Sequence, residues 1–185
     1  MEMRELEIKG AWLANFPVYD DNRGFFREWF KKTEVLEKTG IDFEVQQVNF
    51  SSSVIGVLRG LHYSLALNGQ AKWITCTKGS IFDVIVDLRP TSPTFKKWIS
   101  VSLTAESGET ILISEGLGHA FLCQSDEADV AYLLSSPYSP KNEYAINPLD
   151  QEIGIKWPEE NLILSPKDSG APSLATRYRE DLLPK

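Results

Sequence analysis

The 185-residue chain is 42% apolar, 11% aromatic and 24% charged, with a formal charge of −7. This composition excludes intrinsic disorder, and the length suits one domain over residues 1–185 that buries about 70% of its unfolded surface without a disulfide framework. The negative balance argues against the basic footprint of a nucleic-acid binder, and no apolar run approaches the ~18 residues of a membrane span.

Residues 1–7 are acidic and carry no apolar signal-peptide core, so a cytoplasmic protein is expected. Leu6-Glu7-Ile8-Lys9 alternates apolar with polar and predicts a strand. A short helix is predicted over 33–38, with Thr33 capping its free amides and Gly40 ending it. Phe43 to Phe50 alternates in part, as does Ile99-Ser100-Val101-Ser102-Leu103. Trp73 to Cys76 and Phe82 to Leu88 are denser, as for strands covered on both faces. Lys78-Gly79 and Ser107-Gly108 fall between strands and read as hairpin turns. Cys76 and Cys123 lie in apolar stretches and read as buried free thiols of a reducing compartment. From Pro137 to Pro172 a long ordered coil is expected, anchored by Ile153, Ile155, Trp157, Leu162 and Leu164. A second helix is expected over 173–183. Roughly ten short strands, with too little helix for crossover connections, predict an all-β sandwich or barrel of the jelly-roll kind with a C-terminal coil and helix extension.

Only two histidines are present. His62 stands three residues after Arg59 in Arg59-Gly60-Leu61-His62-Tyr63, and His119 lies in Leu117-Gly118-His119-Ala120-Phe121. Imidazole titrates nearest neutral pH and so offers acid–base chemistry, although either residue taken alone is more readily a satisfied structural histidine. A jelly roll with histidines raises the metal-dependent cupin. That site takes three imidazoles, two of them one residue apart, and neither feature is present.

The surrounding residues form a longer series. Asp21-Asn22-Arg23-Gly24-Phe25-Phe26-Arg27-Glu28 precedes Gln47-Val48-Asn49, Leu58-Arg59-Gly60-Leu61-His62-Tyr63 and Gln70-Ala71-Lys72. Asp83 to Arg89 and Ser92-Pro93-Thr94-Phe95 follow, then Glu115 to Phe121, Tyr132 with Tyr138, and Leu164-Ser165-Pro166-Lys167-Asp168. In order and spacing this series resembles the dTDP-4-dehydrorhamnose 3,5-epimerases, deoxysugar-nucleotide epimerases of the cupin class, from about residue 5 to residue 183.

The resemblance implies a dTDP-4-keto-6-deoxyhexose substrate, inverted at C3 and also at C5, with no cofactor and no metal. Inverting a centre beside the C4 ketone needs a base, a group that holds the enolate oxygen, and an acid across the ring. It implies His62 as base, Asp168 or alternatively Asp83 as its carboxylate partner, Lys72 at the oxyanion and Tyr132 as acid. His119 would bond the sugar or oxyanion. Arg23, Arg59 and Lys167 would meet phosphate, Tyr138 would stack on thymine, Glu143 would lie at the nucleotide end, and Glu28, Gln47 and Asn49 would make polar contacts. It further implies a homodimer in which the Arg23 and Glu28 segment crosses into the neighbour's site. Without the family pattern, Lys72 and Asp168 read as a surface ion pair, Tyr132 as packing and Arg23-Gly24 as a turn.

The chain departs from the family's usual pattern at Ser114 to Phe121, at Tyr132-Leu133-Leu134-Ser135 and at Asn147-Pro148-Leu149-Asp150. These departures resemble the branch serving specialised deoxysugars, some of whose members invert C3 only. That leaves a C3-only epimerase as the alternative. More distant readings are a metal-dependent cupin oxygenase and a non-catalytic sugar-nucleotide module, the latter disfavoured by the presence of both His62 and Tyr132.

Overall fold

Period-two alternation organises most of the chain in the computed structural model, which describes residues 1–67 and 69–185. Strands β1 (Glu2–Glu5), β2 (Ala11–Asn15), β5 (Gln47–Val54), β7 (Lys72–Lys78), β10 (Glu109–Ile113) and β12 (Glu127–Leu134) form one sheet in the order β1-β2-β10-β7-β12-β5. A second sheet takes β6 (Leu58–Ser64), β8 (Ser80–Asp87), β9 (Trp98–Thr104), β11 (Leu117–Cys123) and β13 (Glu143–Ala145) in the order β13-β6-β11-β8-β9. A small ribbon pairs β3 (Tyr19–Asp21) with β4 (Gly24–Phe26). All ladders between named strands are antiparallel, and the crossed order is that of the expected jelly-roll sandwich. No helix among the described residues is long and apolar enough to cross a membrane.

The core lies between the sheets. Ile74 and Cys76 of β7, Ile111 and Ile113 of β10 and Val130 of β12 meet Ile81 and Ile85 of β8 and Leu117, Phe121 and Cys123 of β11. Both cysteines are buried and unpaired. Each outer face carries its own apolar layer, which explains the dense runs at Trp73 and Phe82. Helix α1 (Lys32–Thr39) brings Val35, together with Phe43, onto Trp73 and Leu133. The C-terminal coil brings Ile146, Ile153, Leu174 and Leu183 onto Val84, Val86, Ala120 and Leu122, with Ile155, Trp157, Leu162 and Leu164 packed around them.

Several sequence expectations shift locally. Leu6 to Lys9 is a turn joining β1 to β2, closed by the Leu6 amide on the Ala11 carbonyl at 2.8 Å, and Ile8 plugs the sandwich from that turn. Residues 43–46 are coil, since Phe43 is drawn under α1 before β5 begins. Thr33 lies inside the first turn of α1 rather than capping it; Lys31 holds the cap position with no side-chain capping bond. Gly40 ends the helix as expected. Within the 137–172 coil sits α2 (Pro166–Ser169), capped by Ser165. Ser173 caps α3 (Leu174–Arg179), which stops short of Leu183. At the β7–β8 hairpin, Gly79 has φ +69 and a Cβ there would lie 2.1 Å from the Glu127 carbonyl oxygen, so only glycine fits.

Candidate active site

Strict alternation would put Arg59 and His62, three residues apart, on opposite faces of β6. They share a face. In the β6–β11 ladder Arg59 pairs with Phe121 and His62 with His119, so three steps on β6 match two on β11. This bulge inserts one residue at Gly60-Leu61 and turns both polar side chains inward, beside His119. Gly60 is required there: its φ is +123, and a Cβ would stand 2.5 Å from the Ala120 Cβ.

His62 and Asp168 form a close pair, with Nε2 2.6 Å from Oδ1. Asp168 is buried on α2, where its amide donates to the Ser165 hydroxyl at 3.1 Å. Burial alone would raise this carboxyl, but the interactions with His62, Ser165 and the Gly60 backbone outweigh it and hold its pKa below the ordinary carboxylate value.

Asp83 does not reach His62. The β8–β11 register sets it opposite Phe121, where its Oδ2 meets His119 Nε2 at 2.8 Å. Its role as partner to His62 is therefore corrected: adjacent strands commit Asp83 to His119, and α2 supplies the carboxylate at His62. The second pair is enclosed. Burial dominates at both groups, raising Asp83 and lowering His119, against the attraction between the two. The Asp83 Oδ1 atom is buried with no hydrogen-bond partner.

A cleft opens in front of both pairs. One lobe, about 430 Å³, is bounded by Arg59, His62, His119 and Phe121 on the five-stranded sheet and by Ser51, Lys72 and Tyr132 on the six-stranded sheet. A second, about 270 Å³, shares His62, Lys72, Tyr132 and Lys167 with the first and adds Asn49, Gln70, Tyr138 and Glu143. Lys72 is buried, and burial lowers its ammonium to about 8 against the opposing pull of Glu143 and Asp83. His62 and Tyr132 thus face one cavity from opposite sheets. Roomier clefts of about 810 Å³ beside β1 and β9 and about 600 Å³ near the C-terminus bring neither imidazole nor phenol to their walls.

Polar contacts fix the rim. Arg59 donates from Nε to Ser53 Oγ at 3.0 Å and from Nη2 to the Ser52 carbonyl at 2.9 Å. Gln47 lies outside the lining but bonds Asn49 at 2.7 Å and accepts from the Tyr138 amide at 2.8 Å, anchoring the loop that carries the exposed Tyr138 ring. Gln70 donates to Glu143 at 3.4 Å. Arg23 and Glu28 are not brought to this cleft: Arg23 pairs with Asp21, and Glu28 with Lys31 at 3.2 Å. Ser51, Gln70, Phe121 and Ser165 were given no role from sequence. Ser51 was legible from its period-two place between Asn49 and Ser53, and Ser165 from the Ser-x-x-Asp capping pattern. Among the described residues no group of three or more potential metal ligands gathers.

Fold and site together define a jelly-roll protein whose cleft is furnished for acid–base chemistry beside a buried cation. Residues 5–176 match the family model for dTDP-4-dehydrorhamnose 3,5-epimerase. The chain belongs to that family. A dTDP-4-dehydrorhamnose 3,5-epimerase from Mycolicibacterium smegmatis is 46% identical over 185 residues, covering 100% of this chain and 91% of the relative. The structure of a 4-keto-6-deoxy sugar epimerase from the novobiocin cluster of Streptomyces spheroides matches with a TM-score of 0.97 at 41% identity, over 100% of this chain and 93% of that one. A 3'-monoepimerase from Streptomyces bikiniensis, solved with dTDP-quinovose, matches with a TM-score of 0.93 at 44% identity, over 97% and 91%. The oxygenase alternative has no counterpart among these relatives.

Proposed function

We propose that the cleft epimerises a dTDP-4-keto-6-deoxyhexose at C3, and at C5 also, through an enolate at the C4 ketone. The observation that carries this reading is the His62–Asp168 pair at 2.6 Å, open to a cavity whose facing wall holds Tyr132 and whose floor holds buried Lys72. His62 takes the proton α to the ketone, and Asp168 stabilises the imidazolium that forms and orients the ring. Lys72 faces the oxygen that gains charge; a cation fixed out of water acts there without reorganisation. Tyr132 returns a proton from the other wall. His119, tied to Asp83, donates or accepts a hydrogen bond at the sugar or the oxyanion. Arg59 and Lys167 take the diphosphate and Tyr138 stacks on thymine, with Asn49, Glu143 and Gln47 setting the nucleotide end.

The same reading makes the protein a homodimer in which Arg23 and Glu28 serve the neighbour's cleft. Its support is the exposure of apolar side chains on the ribbon, Tyr19, Phe25 and Phe26, and on edge strand β5, Val48 and Phe50, each at least 60% exposed. Two buried, unpaired thiols support a reducing, cytoplasmic setting.

The test is solvent-deuterium incorporation into a dTDP-4-keto-6-deoxyglucose, resolved at C3 and C5. Uptake at both positions with inverted products is expected. Inversion at C3 alone would favour the second reading, to which the likeness to the Streptomyces bikiniensis 3'-monoepimerase lends weight. No uptake at either position would overturn both.

A further inference from the structure

The partners in the His62–Asp168 pair lie 106 residues apart in the chain, and one short path of hydrogen bonds ties their two elements together. Ile146 pairs with Leu61, the neighbour of His62, by amide-to-carbonyl bonds of 3.0 and 3.2 Å in the two directions. The next residue, Asn147, turns to the segment carrying Asp168. Its backbone N–H donates to the Pro172 carbonyl at 3.0 Å, and its side-chain Nδ2 donates to the Ser169 carbonyl at 3.1 Å. Its Oδ1 accepts from the Leu149 amide at 2.9 Å, which fixes the amide group's orientation. Asp150 then closes the far side of the segment, accepting from the Leu174 amide at 3.0 Å. The 168–174 segment is therefore held at both ends by one tight turn, and that turn grows directly out of the strand beside His62.

We propose that Asn147 is a positioning residue: it sets the spacing between Asp168 and His62 by bonding the residue after Asp168 from the residue after Leu61's partner. This rests on the reading of His62 as the base. The Ser169 carbonyl needs a donor, which an amide supplies and a carboxylate of the same shape does not. Asn147→Asp would set a negative oxygen against a carbonyl oxygen and push α2 away from β6. Asn147→Ala removes the donor without adding charge. Small displacements of a catalytic pair cost rate out of proportion to stability.

The experiment reads the pair directly. With only two histidines in the chain, both bonded to carboxylates, the parent should show two hydrogen-bonded imidazole N–H protons far downfield in the NMR spectrum, assigned by the loss of one in His62→Asn. In folded Asn147→Asp and Asn147→Ala proteins the His62 resonance should shift or broaden away, while the enclosed His119–Asp83 resonance stays. Kinetically, kcat should fall roughly tenfold or more with KM within twofold. An unmoved His62 resonance with an unchanged kcat in either folded variant overturns the proposal. A parent that epimerises nothing, yet whose His62 resonance responds to Asn147, overturns the functional reading and supports the positioning role.

Discussion

The two histidine–carboxylate pairs face the same cleft from neighbouring strands, yet they are built differently. His62 keeps 38% of its side chain exposed, and its carboxylate arrives from a distant helix turn capped by Ser165. His119 is only 10% exposed and its partner is a strand neighbour with no exposure at all. Desolvation governs the second pair and favours its uncharged forms. In the first pair, hydrogen bonds outweigh burial and keep Asp168 ionised. A base must gain a proton during turnover and needs a negative partner ready for it, so the open pair suits proton removal. The enclosed pair suits a fixed hydrogen-bonding group.

The sharpest way to break this contrast is to delete each imidazole. His62→Ala should lower solvent exchange at C3 and C5 by roughly 10³-fold while dTDP binding stays within about twofold, whereas His119→Asn should cost roughly tenfold. Deuterium uptake with calorimetric dTDP titration checks both, and equal losses would erase the distinction. Next in size is Tyr132→Phe, which keeps the ring and removes the hydroxyl from the facing wall. Net inversion should fall roughly 10²-fold while exchange at C3 persists, because the enolate still forms and is reprotonated from the side it left. Inversion at the parent rate would reduce Tyr132 to packing.

The carboxylates sharpen the comparison further. Asp168→Asn should reduce kcat by roughly 10²-fold or more, since an amide does not stabilise an imidazolium. Asp83→Asn should change kcat by less than about fivefold, because an amide of the same shape can still hydrogen-bond the enclosed His119. Matching losses in steady-state assays would show that both pairs share the acid–base work. The smallest effect expected concerns Lys72. Its ammonium titrates near 8 in the fold against 10.5 unfolded, so the cation facing the oxyanion is lost above that pH and kcat/KM should decline there. For stability the sign is opposite. Between about pH 8 and 10.5 the unfolded chain binds the extra proton, so the penalty of burying this charge is full below 8 and fades as pH rises. Lys72→Met should therefore be more stable than the parent at pH 7 in urea titrations, with the advantage shrinking toward pH 10.

Much of the sandwich was legible because its signals are local. Alternation marked Ile99 to Leu103 and the run from Phe82, glycines marked the turns at Gly79 and Gly108, and returning apolar residues marked the long coil as ordered. Alternation misled at Leu6 to Lys9, where a turn residue, Ile8, enters the core from outside any strand. The residue types of the cleft were legible too, through the motifs that resemble the epimerases. Their partnership was legible only as a choice at His62, through the same resemblance, between Asp168 and Asp83. The sequence by itself determined the strands' alternation and the ordered series of motifs that marks the family, because both are local patterns of residue type. Only the tertiary structure decided that a bulge at Gly60 turns Arg59 and His62 to one face, that Asp83 serves His119, and that Asp168 crosses 106 residues to His62. Ladder register and the docking of a C-terminal turn depend on contacts between distant segments, and no local pattern encodes them.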